Sequence, residues 1–318
     1  MLKIEFRKLL DLASHWGRTR LVVGYSGGLD SQVLLHWLSR HLKDSNASLG
    51  LAAIHVHHGL SSAADTWQSY CELGCQKLGI PLITCQVSVE TGGSLEEKAR
   101  NARYEAFAGH LLPSDMLLLA HHLDDQLETA LFRLFRGNGY QGMPQMRQAG
   151  DLLIYRPLLS TGRAAIYQWA EENRLSWIED ESNADLTHDR NFIRSTVMPL
   201  LRDRWPDLDA RLEQLLQRDE ALRDWLADMA LEDRNRLSNG EGALNLADFN
   251  RLHPTRRKNL LHYWIASVSS FPSERFLEEA LRQMASASRF ELRWQSARLL
   301  GKRGELRLLR EVMDTKAE

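Results

Sequence analysis

Leu21-Val22-Val23-Gly24-Tyr25-Ser26-Gly27-Gly28-Leu29-Asp30-Ser31 is the stretch that decides the fold. Leu21, Val22 and Val23 form an apolar, β-prone run, which Ser26-Gly27-Gly28 ends. A helical pattern follows, with apolar positions at Val33, Leu34, Leu35, Trp37 and Leu38. Strand, glycine turn and helix N-terminus in succession make an anion cradle. Glycines let backbone N–H groups converge, and the helix dipole adds partial positive charge. The spacing then narrows the ligand. Gly24, Gly27 and Gly28 do not form the G-x-G-x-x-G of dinucleotide binders, and no Gly-Lys-Ser/Thr follows as in a Walker loop. An ordinary capped βα turn would need only the glycines. Ser26, Asp30 and Ser31 add hydroxyls and a carboxylate in register, which are groups suited to phosphate and its counter-ion.

Outward from this stretch, strand-like and helix-like segments alternate. Strands are predicted at 21–25, 49–56, 81–87 and 116–120, with weaker ones at 152–155 and 175–178. Helices are predicted at 30–42, 63–78, 95–111, 124–136 and 163–173. Short apolar strands separated by amphipathic helices predict an α/β fold, a doubly wound parallel sheet covered on both faces. Ligands bind such sheets at the carboxyl ends of the strands. His55-Val56-His57-His58-Gly59 follows the second strand, and His121-His122-Leu123-Asp124-Asp125-Gln126-Leu127-Glu128 follows the fourth. The histidines lack the H-x-H-x-D-H spacing of metallohydrolases and read as hydrogen-bonding groups rather than a zinc site. Asp125 and Glu128 lie three apart and share a helix face, where they serve either the helix dipole or a site. Arg100 and Arg103 lie on a charged helix that also reads as a solvated, salt-bridged surface. Gly137-Asn138-Gly139-Tyr140-Gln141-Gly142 reads as a flexible loop.

Composition bounds the rest. The 318 residues suggest two domains, here 1–204 and 205–318. A helix is predicted from Trp205-Pro206-Asp207 onward, with further helices at 259–266 and 273–284. From Phe290 the apolar period shortens to two around a Gly-Lys-Arg-Gly turn at 301–304, so the smaller, α-rich domain is predicted to end in a β-hairpin. Lys plus Arg number 40 against 42 Asp plus Glu, so any nucleic-acid surface must be a local patch. Arg256, Arg257, Lys302 and Arg303 are its candidates. No signal-peptide core or membrane-length apolar run is present, and the odd set of Cys71, Cys75 and Cys85 fits a reducing cytoplasm. Cys71 and Cys75, one helical turn apart in an apolar segment, read as core thiols.

Taken together, several stretches resemble the tRNA(Ile)-lysidine synthetase family of the PP-loop ATP pyrophosphatases in order and spacing. They are S-G-G-L-D-S (26–31), H-V-H-H-G-L-S (55–61), A-R-N-A-R-Y (99–104), A-H-H-L-D-D-Q-L-E-T (120–129), R-G-N-G-Y-Q-G-M (136–143), R-P-L-L (156–159), and D-E-S-N with R-N-F-I-R (180–194). The loop alone is shared with NAD and GMP synthetases and with tRNA thiolases, and the whole set is more specific. The resemblance implies ATP and Mg²⁺ as cofactors, with free L-lysine and an isoleucine tRNA bearing a CAU anticodon as substrates. Lysine is ligated to C2 of the wobble cytidine through an adenylated tRNA intermediate. Ser26, Gly27, Gly28, Leu29, Asp30 and Ser31 would then hold the phosphates, with Asp30 placing Mg²⁺. Asp30, Asp125 and Glu128 would be catalytic, the last two orienting lysine. His57, Arg100, Arg103, His122 and Arg194 would be substrate contacts, and the basic patch would meet tRNA. Another ATP-splitting enzyme with the same loop, a tRNA thiolase or an amide-forming synthetase, is the alternative. Longer members of the family carry a further C-terminal module, so the resemblance implies that this sequence is either a short form or a piece of a longer chain.

Overall fold

The computed structural model describes residues 2–45, 47–59, 63–88, 95–137, 142–149, 151–179, 187, 189–239, 242–269, 271–287 and 289–310. The chain divides into two compact units, Met1–Leu216 and Gln217–Glu318.

The first unit begins with helix α1 (Phe6–His15), followed by β1 (Arg20–Gly24), α2 (Leu29–Lys43), β2 (Gly50–His57), α3 (Ala64–Leu78) and β3 (Leu82–Gln86). It continues with α4 (Leu95–His110), β4 (Asp115–Leu118), α5 (Leu123–Phe135), β5 (Met146–Ala149), β6 (Leu152–Tyr155) and α6 (Arg163–Glu172). Its last elements are α7 (Asp189–Phe192), a π-helical turn (Ile193–Val197) and α8 (Met198–Arg204). The strands form one sheet in the order β3-β2-β1-β4-β6-β5, parallel except for the edge strand β5.

Period-two alternation explains why the sheet is covered twice. Leu21, Val23, Met116, Leu118 and Leu153 point into a core shared with Val33, Leu34 and Leu38 of α2 and Ile166 of α6. Val22, Ala52, Ile54, Leu117 and Ile154 point the other way, into a core shared with Ala106 and Phe107 of α4. Each fully buried aliphatic side chain contributes about 1.5–3 kcal/mol. The strand order reverses between β1 and β4, so their carboxyl ends flank the crevice where a doubly wound sheet takes its ligand.

Two features of this unit differ from the sequence reading. Residues 175–178 form no strand. Leu175 and Trp177 pack against the α2 and α6 side of the core, so their alternation reflects burial on helices rather than membership of the sheet. The edge position beside β6 is taken instead by β5, whose Met-Arg-Gln-Ala sequence carries no strand signal of its own.

The unit boundary falls within α9 (Leu208–Leu237). Trp205, Pro206 and Asp207 form the lead-in to this helix and not its first turn. The second unit adds β7 (Leu244–Asn245), α10 (Leu246–Arg251), α11 (Pro254–Ala266), α12 (Glu274–Ser286), β8 (Arg289–Trp294), β9 (Ala297–Lys302) and β10 (Glu305–Arg310). The expected terminal hairpin is a three-stranded meander, extended by β7 to a four-stranded antiparallel sheet in the order β7-β10-β9-β8. The Arg303-Gly304 turn has φ of 54° and 82°, the primed geometry that closes a tight hairpin. The β8–β9 turn uses Gln295 at φ 47°, with no glycine to announce it, so β8 and β9 could not be separated by pattern. Phe249, Leu260, Leu261, Ile265, Leu277 and Leu306 form this unit's core. Among the described residues no helix is long and apolar enough to cross a membrane.

Candidate functional site

The chain leaves β1 at Gly24 and turns through Ser26–Gly28 into α2. Gly27 has φ +82°, and a Cβ there would lie 2.9 Å from Ile178 Cδ1 and 3.1 Å from Cys71 Sγ, so only glycine fits. The hydroxyls fold the loop on itself. Ser26 N donates to Ser31 Oγ at 3.2 Å, Ser31 Oγ donates to the Gly28 carbonyl at 3.0 Å, and Gly28 N donates to Ser26 Oγ at 3.3 Å. Gly28 occupies the N-cap of α2 without a side-chain cap, which leaves the helix terminus suited to an anion.

Across the crevice, His122 starts α5 through a reciprocal cap. Its Nδ1 accepts from Asp125 N at 3.3 Å, while its own N–H donates to Asp125 Oδ2 at 3.1 Å. With Nδ1 accepting, the proton of the neutral ring lies on Nε2. That atom is 3.6 Å from Asp30 Oδ2 and 3.5 Å from Asp125 Oδ2. The first turns of α2 and α5 thus bring two carboxylates to one imidazole. Burial pushes the Asp30 carboxyl above its ordinary range, with Asp125 adding to the shift and His122 opposing it.

Arg194, from the π-helical turn, lies against the other carboxylates. Its Nε and Nη2 donate to Glu128 Oε1 and Oε2 at 2.7 and 2.8 Å, and Nη2 also donates to Asp125 Oδ1 at 3.0 Å. Glu128 is 4% exposed, and burial holds its carboxyl above the ordinary range even beside this guanidinium. Asp124, next in the cap, is pushed up by burial, but the Arg163 N–H and Arg202 bring it below its ordinary value.

A second, cationic group lies around α4 and the β4 and β6 ends. Arg100 and Arg103 sit over the Tyr104 ring at 5.3 and 5.9 Å, and Arg103 Nε is buried without a hydrogen-bond partner. Arg156, 1% exposed, donates from Nη1 to the Pro144 carbonyl at 2.7 Å and from Nε to His121 Nδ1 at 3.3 Å. Burial, reinforced by Arg156, Arg103 and Arg100, drives His121 well below the ordinary imidazole value, so it stays neutral. The guanidinium groups of Arg100, Arg103 and Arg156 gathered here suit an anionic ligand. The cysteines belong to the core: burial raises the thiols of Cys71 and Cys75 to about 12 and about 11.

The candidates from sequence therefore fall into separate places. Asp30, His122, Asp125, Glu128 and Arg194 form one connected set. Arg100 and Arg103 join the cationic group. His57 turns away to pair with Asp65, its Nε2 lying 3.0 Å from Asp65 Oδ1. Arg156 and His121 went unassigned in the sequence reading, although R-P-L-L and A-H-H both lay inside the quoted motifs. Their signal was position at a strand end. Residues 138–141 of the glycine loop and 180–183 of the acidic stretch lie outside the described residues, as do residues 60–61.

In the second unit, Lys302 and Arg303 are exposed and help line a cleft of about 890 Å³ with Arg289, Arg298 and Arg307. Glu291 and Glu305 temper its charge, accepting from Arg298 at 2.9 Å and Arg307 at 2.9 Å. Arg256 is engaged elsewhere, donating twice to Asp233 at 2.8 and 2.7 Å. Arg257, half-buried on the same helix, has a buried Nε without a hydrogen-bond partner.

Residues 1–201 match the family model described as the PP-loop domain, and residues 244–307 match the TilS substrate binding domain. The chain is 42% identical over 283 residues to the tRNA(Ile)-lysidine synthase of Pseudomonas aeruginosa, covering 85% of this chain and 64% of that protein. With the tRNA(Ile)-lysidine synthase of Escherichia coli O157:H7 it shares 41% identity over 277 residues, covering 84% and 63% respectively. The chain thus spans under two thirds of the length of these relatives. Among solved structures, the U34-tRNA thiolase NcsA from Methanococcus maripaludis superposes with a TM-score of 0.53 at 14% identity, over 67% of this chain and 80% of that one. That likeness is one of fold.

Proposed function

Because the chain belongs to the PP-loop domain family, we propose that it ligates free L-lysine to C2 of the wobble cytidine of an isoleucine tRNA with a CAU anticodon, splitting ATP into AMP and pyrophosphate. The observation that carries this reading is the meeting of Asp30 and Asp125 at His122, with Glu128 and Arg194 directly behind. A phosphate cradle and a carboxylate-rich cation site share one crevice. The similarity to the synthases of two bacteria supports the choice of substrates. Such a reaction belongs in the cytoplasm, where tRNA, ATP and lysine meet.

In the first step the cytidine C2 oxygen attacks the α-phosphate, the α–β bond breaks and pyrophosphate leaves. Backbone N–H groups of Ser26–Ser31 and the α2 terminus hold the departing phosphates, and the cationic group offsets their charge. In the second step the lysine ε-amine attacks C2, and the bond from C2 to the adenylate oxygen breaks to release AMP. Lysine arrives as a cation yet attacks only when neutral, so one proton must go to the protein. Glu128, whose buried carboxyl binds a proton more readily than usual, is the acceptor. Asp125 holds the ammonium beside it.

Magnesium fits the residues present. It takes one or two carboxylates and leaves its other positions to phosphate oxygens and water. Asp30 Oδ1 is buried with no hydrogen-bond partner, and Asp125 converges on the same imidazole. Asp30 would hold the ion, which when bound supplies charge neutralisation at the phosphates.

The test is mass spectrometry of the wobble nucleoside after incubation with tRNA, ATP and lysine. The expected product is cytidine carrying one lysine. Unmodified cytidine, with pyrophosphate released in the absence of RNA, would move the assignment to an amide-forming synthetase. The thiolase alternative finds no support in the described cysteines, which are buried thiols of raised pKa rather than presented ligands.

A further inference from the structure

Gly27 is free to adopt either sign of φ, so nothing in the residue itself keeps the Gly27–Gly28 peptide in one orientation. That orientation matters. In a planar trans peptide the C=O and the following N–H point opposite ways, so a flip would turn a carbonyl oxygen toward the anion. The restraint comes from outside the loop: Ile178 N donates to the Gly27 carbonyl at 3.0 Å. With that oxygen held outward, the Gly28 N–H faces inward over Ser26 Oγ.

Ile178 belongs to the segment that reads as a strand but joins no sheet, and a separate network fixes it. Gln32, 4% exposed in the first turn of α2, accepts from Tyr25 Oη at 2.7 Å. Its amide nitrogen donates to the Ser176 carbonyl at 2.9 Å and to Tyr70 Oη at 2.8 Å. Tyr70 Oη in turn donates to the same carbonyl at 2.5 Å. Every hydrogen-bonding group of the Gln32 amide is used. Helix α3 closes the arrangement tightly, since a Cβ on Gly74 would come within 2.8 Å of Tyr25 Oη.

We infer that Gln32 and Tyr70 are positioning residues for polyphosphate binding: they hold Ser176, and through it the Ile178 N–H that keeps the Gly27–Gly28 peptide turned for an anion. The inference rests on the phosphate-loop reading of Ser26–Ser31. Neither side chain needs to touch the ligand. Their effect reaches only the part of the ligand that the loop holds, so binding of phosphates is sensitive to them and binding of the nucleoside is not.

The experiment is calorimetric titration of the intact chain with Mg-ATP, inorganic pyrophosphate and adenosine, for wild type, Gln32→Leu and Tyr70→Phe. Gln32→Leu removes both donations and should weaken ATP and pyrophosphate about tenfold; Tyr70→Phe, which leaves the Gln32 to Ser176 bond, should weaken them about threefold. Adenosine affinity and the KM for lysine should hold. Tyr70 is half-buried and its variant keeps the ring, so the test stays decisive if Gln32→Leu does not fold. Equal pyrophosphate affinity in wild type and Tyr70→Phe would overturn the inference, as would a parallel loss of adenosine binding. A wild type that binds neither ATP nor pyrophosphate would instead overturn the phosphate-loop reading itself.

Discussion

Glu128 in the first unit and Asp233 in the second are both buried carboxylates, 4% and 1% exposed, and both face arginine. Each has both oxygens bonded to guanidinium nitrogens, and they differ in how many carboxylates share each arginine. Asp233 receives two hydrogen bonds from Arg256 and one from Arg236 at 2.9 Å, so both its oxygens are taken by guanidinium groups reaching in from the surface. Glu128 shares its single arginine with Asp125, and Asp30 lies close behind across His122. Three carboxylates thus divide one guanidinium and one imidazole. The first arrangement is closed, as a structural pair should be. The second is short of positive charge, which is the condition a site for an ammonium substrate requires.

The sharpest way to break this contrast is to remove each carboxylate in turn. Asp233→Ala strands Arg256 near a buried hole and should cost about 3–5 kcal/mol in urea denaturation. Glu128→Gln should cost under about 1 kcal/mol, because Arg194 keeps Asp125 and the amide is isosteric. Equal losses would mean that both pairs are structural.

Kinetics should reverse that order. Glu128→Gln should slow lysine transfer about 100-fold in single-turnover assays with labelled ATP, while adenylation changes less than about tenfold and adenylated tRNA accumulates. Normal lysine dependence with no trapped intermediate would reduce Glu128 to a packing role.

The pH dependence of stability sharpens the same point. The Glu128 carboxyl is raised above its ordinary value of 4.5, so the folded state binds its proton more tightly than the unfolded state does. The stability it contributes is full below the unfolded value and is lost as pH rises through the folded one. Wild type should therefore lose stability relative to Glu128→Gln as pH rises from about 4 toward neutrality. Denaturation curves that stay parallel across that range would contradict the burial argument.

The smallest effect concerns the second unit's surface. Replacing Arg257, Lys302 and Arg303 together should flatten the salt dependence of tRNA binding, by roughly one unit of slope for each phosphate that these side chains neutralise. Arg256→Ala should show itself instead in stability, through Asp233. A filter-binding titration whose slope ignores the triple variant would return those charges to solvent.

The sequence by itself determined the parallel sheet, the phosphate loop and the start of α5. Those signals are local: a continuous apolar run in Leu21, Val22 and Val23, two glycines before a helix, and a helical pattern predicted from residue 124. It also placed Asp125 and Glu128 on one face, since three residues make most of a helical turn. Tertiary structure decided what those carboxylates meet. Arg194 lies 66 residues beyond Glu128, and no spacing rule spans that distance. The same holds for residues 175–178, whose alternating apolar pattern suits a strand equally well. Only the packing of α2, α3 and α6 turns that segment's backbone toward Gln32 and Gly27. The terminal hairpin expected around 301–304 is present as β9 and β10, and the further strand β8 went unseen because Gln295 takes a left-handed turn that strand pairing imposes and composition does not mark. Periodicity reports which face of an element is buried. Which partner buries it depends on chain-distant contacts, and those decide where the charges of the site come to rest.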